Sequence, residues 1–260
     1  MGLLDGRAAI VAGIGPGLGR SIARVLAREG AAVALAARRL DQLEAVAGEL
    51  ETDGHRALIV RTDVTVPEDA EELAQATRDA FGRIDVVVYN AFLYGPTTPA
   101  RETGADAWRE TFEVNVVGAL NVTMAAAPHL AGSDDGSVVM VNTQAARRSL
   151  PRRGPYSASK AAMLSLARTL AGELGPDGIR VNSVVPGPIW SPPLEAALAQ
   201  RADRTGTTMD EEYARLAADT PLGRIATADE VADAVLFFAS PLAHAVTGQS
   251  LDVNAGNWFE

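Results

Sequence analysis

Short, continuous apolar runs alternate with longer stretches whose apolar residues recur at helical spacing, and this rhythm persists along most of the 260 residues. Residues 7–13, 31–37, 56–61, 84–89, 137–142, 180–185 and 249–253 read as strands covered on both faces. Residues 17–29, 40–52, 67–81, 105–130, 156–174 and 228–238 read as helices. Gly30 follows the first helix, Pro67 stands in the first turn of the third, and Gly82 follows its end. No two strands are close enough for a two-residue hairpin. Each connection therefore crosses over, which requires parallel strands with helices on both faces. The pattern predicts an α/β chain with one doubly wound parallel sheet, forming a single domain over 1–260.

One stretch departs from the rhythm. Residues 188–222 carry prolines at both ends and a polar centre, and 193–202 reads as a short helix. An insertion of this length between a strand and a helix, at the carboxyl edge of such a sheet, is expected to be a substrate lid.

Charge and composition narrow the partners. With 33 acidic against 23 basic residues, a net charge of -10 disfavours nucleic acid and anionic membranes. The absence of cysteine excludes disulfides and thiolate chemistry and suits a cytoplasmic location. The first apolar run, 8–11, is too short for a signal core, and no run approaches a membrane span. His55, His129 and His244 are scattered without a second ligand at metal spacing, so no metal is expected. A Gly-x-Ser-x-Gly nucleophile elbow is also missing.

Between the first strand and first helix stands Ala12-Gly13-Ile14-Gly15-Pro16-Gly17-Leu18-Gly19. Glycines here let backbone and helix N-terminus approach a pyrophosphate, and the strand–loop–helix setting points to a dinucleotide in a Rossmann-type fold. The second strand ends in Ala36-Ala37-Arg38-Arg39. An acid that would hold a ribose 2′-hydroxyl is lacking at Ala37, and two arginines able to pair with a 2′-phosphate follow. That favours NADP(H), with NAD(H) as the alternative.

Tyr156-Ser157-Ala158-Ser159-Lys160 opens the fifth of the long helices before the lid. Residues four apart share a helix face, so phenol and ammonium can meet. A lysine cation favours the phenolate and would bring Tyr156 down toward a useful acid–base range.

Together, the glycine loop and the Tyr-xxx-Lys pair make the chain similar to the short-chain dehydrogenase/reductase family, in particular its NADP-preferring bacterial members, over about residues 5–256. The resemblance implies a seven-stranded sheet in the order 3-2-1-4-5-6-7. It implies interconversion of a secondary alcohol and a ketone or aldehyde, with Tyr156 as acid–base, Lys160 tuning it, Thr143 in place of the usual serine, and Asn115 in a proton relay. It assigns the cofactor to Gly13, Gly17, Leu18, Gly19, Asp63, Val64, Asn90, Ala91, Tyr156, Lys160 and the backbone of Ile189, beside Arg38 and Arg39. Phe92 and Trp190 would line the substrate pocket, and a homotetramer or homodimer is implied. Arg147, Arg148, Arg152 and Arg153 lie between Thr143 and Tyr156, as solvated loop charges or as attractors of an anionic substrate. Two other classes stay open: a non-catalytic dinucleotide-binding sensor, and a cofactor-free dehalogenase-like relative. The latter would carry Arg at position 160.

Overall fold

The computed structural model describes residues 2–148 and 150–259. Its strands are β1 (Ala8–Ala12), β2 (Ala32–Ala37), β3 (Ala57–Arg61), β4 (Val86–Tyr89), β5 (Gly136–Val141), β6 (Ile179–Pro186), β7 (Ile189–Trp190), β8 (Ala226–Thr227) and β9 (Ser250–Val253). The helices are α1 (Leu18–Arg28), α2 (Leu40–Thr52), α3 (Pro67–Phe81), α4 (Ala105–Phe112), α5 (Gly118–Leu130), α6 (Gly154–Leu174), α7 (Pro192–Thr205), α8 (Met209–Ala217) and α9 (Ala228–Ala239).

Seven strands pair in parallel in the order β3-β2-β1-β4-β5-β6-β9. This is the expected doubly wound order, its seventh strand now numbered β9. Side chains alternate between the two faces. Ala9, Val11, Val86, Val88, Val139 and Val141 enter one core layer with residues of α1, α2 and α9. Ile10, Val87, Tyr89, Val138 and Met140 enter the other with residues of α3, α5 and α6. Both faces are covered, so the strands read as unbroken apolar runs rather than alternating ones.

Three elements differ from the sequence expectation. The helix expected over 105–130 is divided: α4 and α5 are joined by a π-helical turn, Glu113–Val117. Across that turn the Tyr89 hydroxyl donates to the Val114 carbonyl, tying the wider turn to the end of β4. The polar centre of 188–222 contains α8 as well as α7, which runs beyond the expected 193–202. Thr208 caps α8 and Glu211 bonds back to the Thr208 N–H, a reciprocal capping box. Finally, β7 and β8 form a separate two-stranded parallel pair that seats the start of the 188–222 segment against the chain just beyond its end. Among the described residues, no helix is long and apolar enough to cross a membrane.

Candidate active site

Strand order reverses between β1 and β4, and the crevice at the carboxyl ends of these strands is where such sheets take ligands. Gly13 follows β1 with φ of +106°, and a Cβ there would lie 2.3 Å from the Ala91 nitrogen. Both the backbone conformation and the close pass of the two loops require glycine. A Cβ on Gly19, in the first turn of α1, would lie 2.4 Å from the Gly13 carbonyl oxygen. Asn90 Nδ2 donates to that same oxygen at 2.6 Å and locks the loop to the end of β4. Asn90 and Ala91 thus shape the cradle. Gly17 caps α1 without any side-chain bond, so N–H groups of the first turn, where Leu18 and Gly19 stand, are open to an anion.

The adenosine end of the cradle lies at β2 and β3. Arg38 and Arg39 are exposed at the end of β2, and Arg39 Nε is 3.8 Å from the Asp41 carboxylate. The Asp63 carboxylate accepts from the Thr65 N–H (3.1 Å) and hydroxyl (2.7 Å). Burial alone would raise its pKa, but the Thr65 bonds and the charges of Arg38 and Arg61 together hold it below the ordinary value. Val64 is buried, and its carbonyl accepts from Asn121 Nδ2. Open backbone donors, glycines that no side chain could replace and an arginine pair at the far end fit a dinucleotide phosphate.

The Tyr156–Lys160 pair projects from the first turns of α6. Tyr156 and Lys160 are both buried. The Tyr156 phenol lies beside the side chains of Thr143 and Tyr94. Its ring stacks on Tyr94 at 4.3 Å and meets Phe92 edge-on at 6.3 Å. Burial pushes the Tyr156 phenol above its ordinary value, and Tyr94 adds to that; Thr143 and the Arg153 charge oppose it. Lys160 Nζ donates to the Val141 carbonyl at 2.8 Å, and burial pulls its pKa down to about 7. The direction for Tyr156 is upward, whereas the sequence suggests a lowering by Lys160. A fully enclosed ammonium bonded to a main-chain carbonyl is itself poised to lose its charge, and the dominant effect on the phenol is its own desolvation.

Thr143 leaves β5 and caps the short turn Gln144–Ala146, its Oγ1 accepting from the Ala145 N–H at 3.3 Å. On either side of it, the buried Asn142 side chain and Gln144 Oε1 have no hydrogen-bond partner among the described residues. Asn115 lies inside the π turn and is buried. Its Oδ1 accepts from the Leu93 N–H at 2.7 Å, while Nδ2 donates to the Leu93 carbonyl (3.0 Å) and to Ser159 Oγ (2.8 Å). The side chain is fully engaged in tying Leu93 to Ser159 of α6. Ser159, between Tyr156 and Lys160, is the member of the site that sequence reasoning missed. Its partner lies 44 residues away, and no local spacing signals the pair.

Ile189 lies in β7, and Trp190 packs edge-on against Tyr213 of α8 at 4.8 Å, so Trp190 braces the 188–222 segment. The arginine cluster disperses. Arg147 is bound to Asp252 and Ser250, Arg148 lies over the Trp258 ring, and Arg152 donates to the Thr97 carbonyl. Arg153 alone of the four is stacked against the Tyr94–Tyr156 pair, its guanidinium 4.4 Å from the Tyr94 ring centre. A separate surface cleft of about 430 Å³, lined by Leu222, Arg224, Glu230, Trp258 and Phe259, shares no residue with this cluster. Among the described residues, no group of three or more His, Asp or Glu is placed to hold a metal.

A family profile described as Enoyl-(Acyl carrier protein) reductase matches residues 13–257. The cis-4-hydroxycyclohexanecarboxylate dehydrogenase of Sinomonas cyclohexanicum is 36% identical over 250 residues, covering 96% of both chains. The chain belongs to the short-chain dehydrogenase/reductase family. L-Sorbose reductase from Gluconobacter frateurii, solved with NADPH and L-sorbose, superposes on this short-chain dehydrogenase/reductase with a TM-score of 0.93. It is 29% identical, with 98% of this chain and 97% of that one covered. A 7α-hydroxysteroid dehydrogenase solved with NADH and 7-oxo-glycochenodeoxycholic acid gives 0.87 at 30% identity, over 97% and 94% of the two chains. The chain is thus an oxidoreductase of the alcohol–carbonyl type that depends on a nicotinamide cofactor, and its relatives have been solved in complex with NADH and with NADPH.

Proposed function

We propose that this enzyme interconverts a bulky or cyclic secondary alcohol and its ketone (an aldehyde being the other carbonyl it would accept), with NADP(H) preferred over NAD(H). The observation that carries the chemistry is the buried Tyr156 phenol beside Thr143, with Lys160 one helical turn along and the glycine loop at the neighbouring strand ends. The bound nicotinamide supplies or accepts the hydride at carbon. Tyr156 gives a proton to the developing alkoxide in reduction and takes it back in oxidation. A high phenol pKa in the resting site keeps that proton in place until an oxyanion forms. Thr143 donates to the same oxygen and orients it. Lys160, with a pKa near 7, can gain and release a proton at neutral pH and so restore the phenol. Asn115 serves as a positioning residue, because it holds Leu93 and Ser159 in place.

Phosphate contact falls to the open N–H groups at Gly17, Leu18 and Gly19. Arg38 and Arg39, with no acid at Ala37, support the NADP(H) preference. Exchanging Arg38 for Ala should raise KM for NADPH about tenfold and leave KM for NADH nearly unmoved. Equal effects on the two cofactors would refute the assignment. Relatives named for cyclohexane and steroid alcohols support a ring-bearing substrate, as do Phe92 and Tyr94 packed on Tyr156.

The 188–222 segment acts as a lid in this reading. Pro193 and Ser191, at the start of α7, lie within 3.7 Å of a Cβ built on Gly17, next to the phosphate cradle. Hydrogen exchange over α7 and α8 should slow on cofactor binding, and exchange that does not change would count against a lid. A homodimer or homotetramer, working in the cytoplasm, fits the exposed stripe of Val117, Leu120 and Met124 around the start of α5. Light scattering that returned a monomer would remove the oligomer from the account.

A further inference from the structure

Arg153 is an unusual charge for its position. It is half-buried, it caps the N-terminus of α6 three residues before Tyr156, and no carboxylate pairs with it among the described residues. In a chain with ten more acids than bases, nearby arginines have found oxygen partners: Arg147 has Asp252 and Ser250, and Arg152 has the Thr97 carbonyl. The Arg153 guanidinium instead rests on the face of Tyr94, 4.4 Å from its centre. Tyr94 in turn stacks on the Tyr156 ring, with 4.3 Å between ring centres.

We infer that Arg153 is the anion-binding residue of the substrate pocket, and that the preferred substrate is a keto or hydroxy acid whose carboxylate pairs with it. The inference rests on Tyr156 being the proton donor. A substrate that reaches the Tyr156 phenol must displace the Tyr94 ring stacked on it. Movement of Tyr94 then uncovers the guanidinium, whose contact with a ring face is weaker than a two-pronged bond to a carboxylate. The geometry also sets the length of the substrate. Arg153 lies two stacking steps beyond Tyr156, of 4.4 and 4.3 Å, so a carboxylate directly attached to the reacting carbonyl cannot reach it. One held across a six-membered ring, or at the end of a chain of similar span, can. Phe92 supplies an apolar edge for that spacer beside Tyr156.

The test compares 4-oxocyclohexanecarboxylate with 4-methylcyclohexanone, which match in ring and differ in charge. Both are reduced by the wild type, Arg153→Gln and Arg153→Lys, with NADPH and with NADH. The wild type should favour the keto acid in kcat/KM. Arg153→Gln should lower that preference about tenfold or more, chiefly through KM, as loss of a charge-assisted bond does. Arg153→Lys should restore part of it. A preference that is the same in the Gln variant overturns the inference, as does a wild type that favours the neutral ketone. An equal fall for both ketones also overturns it, since Arg153 would then act only through Tyr156 or the fold. A wild type that reduces neither compound, nor any of a panel of neutral cyclic ketones, overturns the oxidoreductase reading itself and the inference with it.

Discussion

Lys160 is enclosed on all sides, and its amine has the Val141 carbonyl as its hydrogen-bonding oxygen. Its folded pKa, about 7, lies below the ordinary 10.5. Below about pH 7 both the folded and unfolded chains carry the proton, and the folded state bears the whole penalty of burying a charge. Between about 7 and 10.5 the unfolded chain keeps a proton that the folded one has released, so this penalty fades and stability rises with pH. Replacing Lys160 with Met should therefore raise the Tm of the cofactor-free protein near pH 6, by about 2–4 °C for each kcal/mol relieved. The gain should shrink as the pH approaches 10. A difference between variant and wild type that is constant with pH would show that Lys160 is not titrating in this range. The retention of so strained a charge beside Tyr156 is itself an argument that it serves the chemistry rather than the fold.

At the level of elements, the site is assembled by turns between regular structure: the loop after β1, the π turn between α4 and α5, and the first turns of α6. The glycine loop leaves the least room for change. In Gly19→Ala the new methyl would press on the Gly13 carbonyl at 2.4 Å and on Asn90 Nδ2 at 3.0 Å. The Asn90 bond that holds the loop should break, and dinucleotide affinity should fall more than tenfold at an unchanged fold. Isothermal titration beside circular dichroism checks both, and unimpaired binding would mean that the loop does not form the cradle. The strands and this loop were legible in the sequence, because doubly covered strands print as unbroken apolar runs and a strand–glycine–helix junction has few other uses. The π turn was not legible. Residues 105–130 keep helical spacing throughout, and the turn is met by a bond from Tyr89, which lies in strand β4. Helix α8 could have been read from Thr208 and Glu211, whose capping-box spacing is plain once the polar centre of the lid is not taken for a loop. The four arginines before Tyr156 could not be told apart, because what separates Arg147 from Arg153 is Asp252, 105 residues from the former.

Across the whole molecule, the sheet reversal between β1 and β4 places three separate parts of the chain on one edge. The glycine loop comes from the first twenty residues, Tyr156 and Lys160 from α6 beside the end of β5, and the segment proposed as a lid from 188–222. Hydride and proton transfer are thereby assigned to different partners, the bound nicotinamide and Tyr156, and should be separable by a single substitution. The most direct test is to titrate wild type and Tyr156→Phe with NADPH, following nicotinamide fluorescence, and then to measure ketone reduction by each. The account predicts nearly equal dissociation constants, with kcat in the Phe variant lower by about 10²–10⁴-fold. A Phe variant that binds NADPH and turns over as the wild type does would contradict the role given to Tyr156. Failure of the wild type to bind either NADPH or NADH would contradict the account at its base.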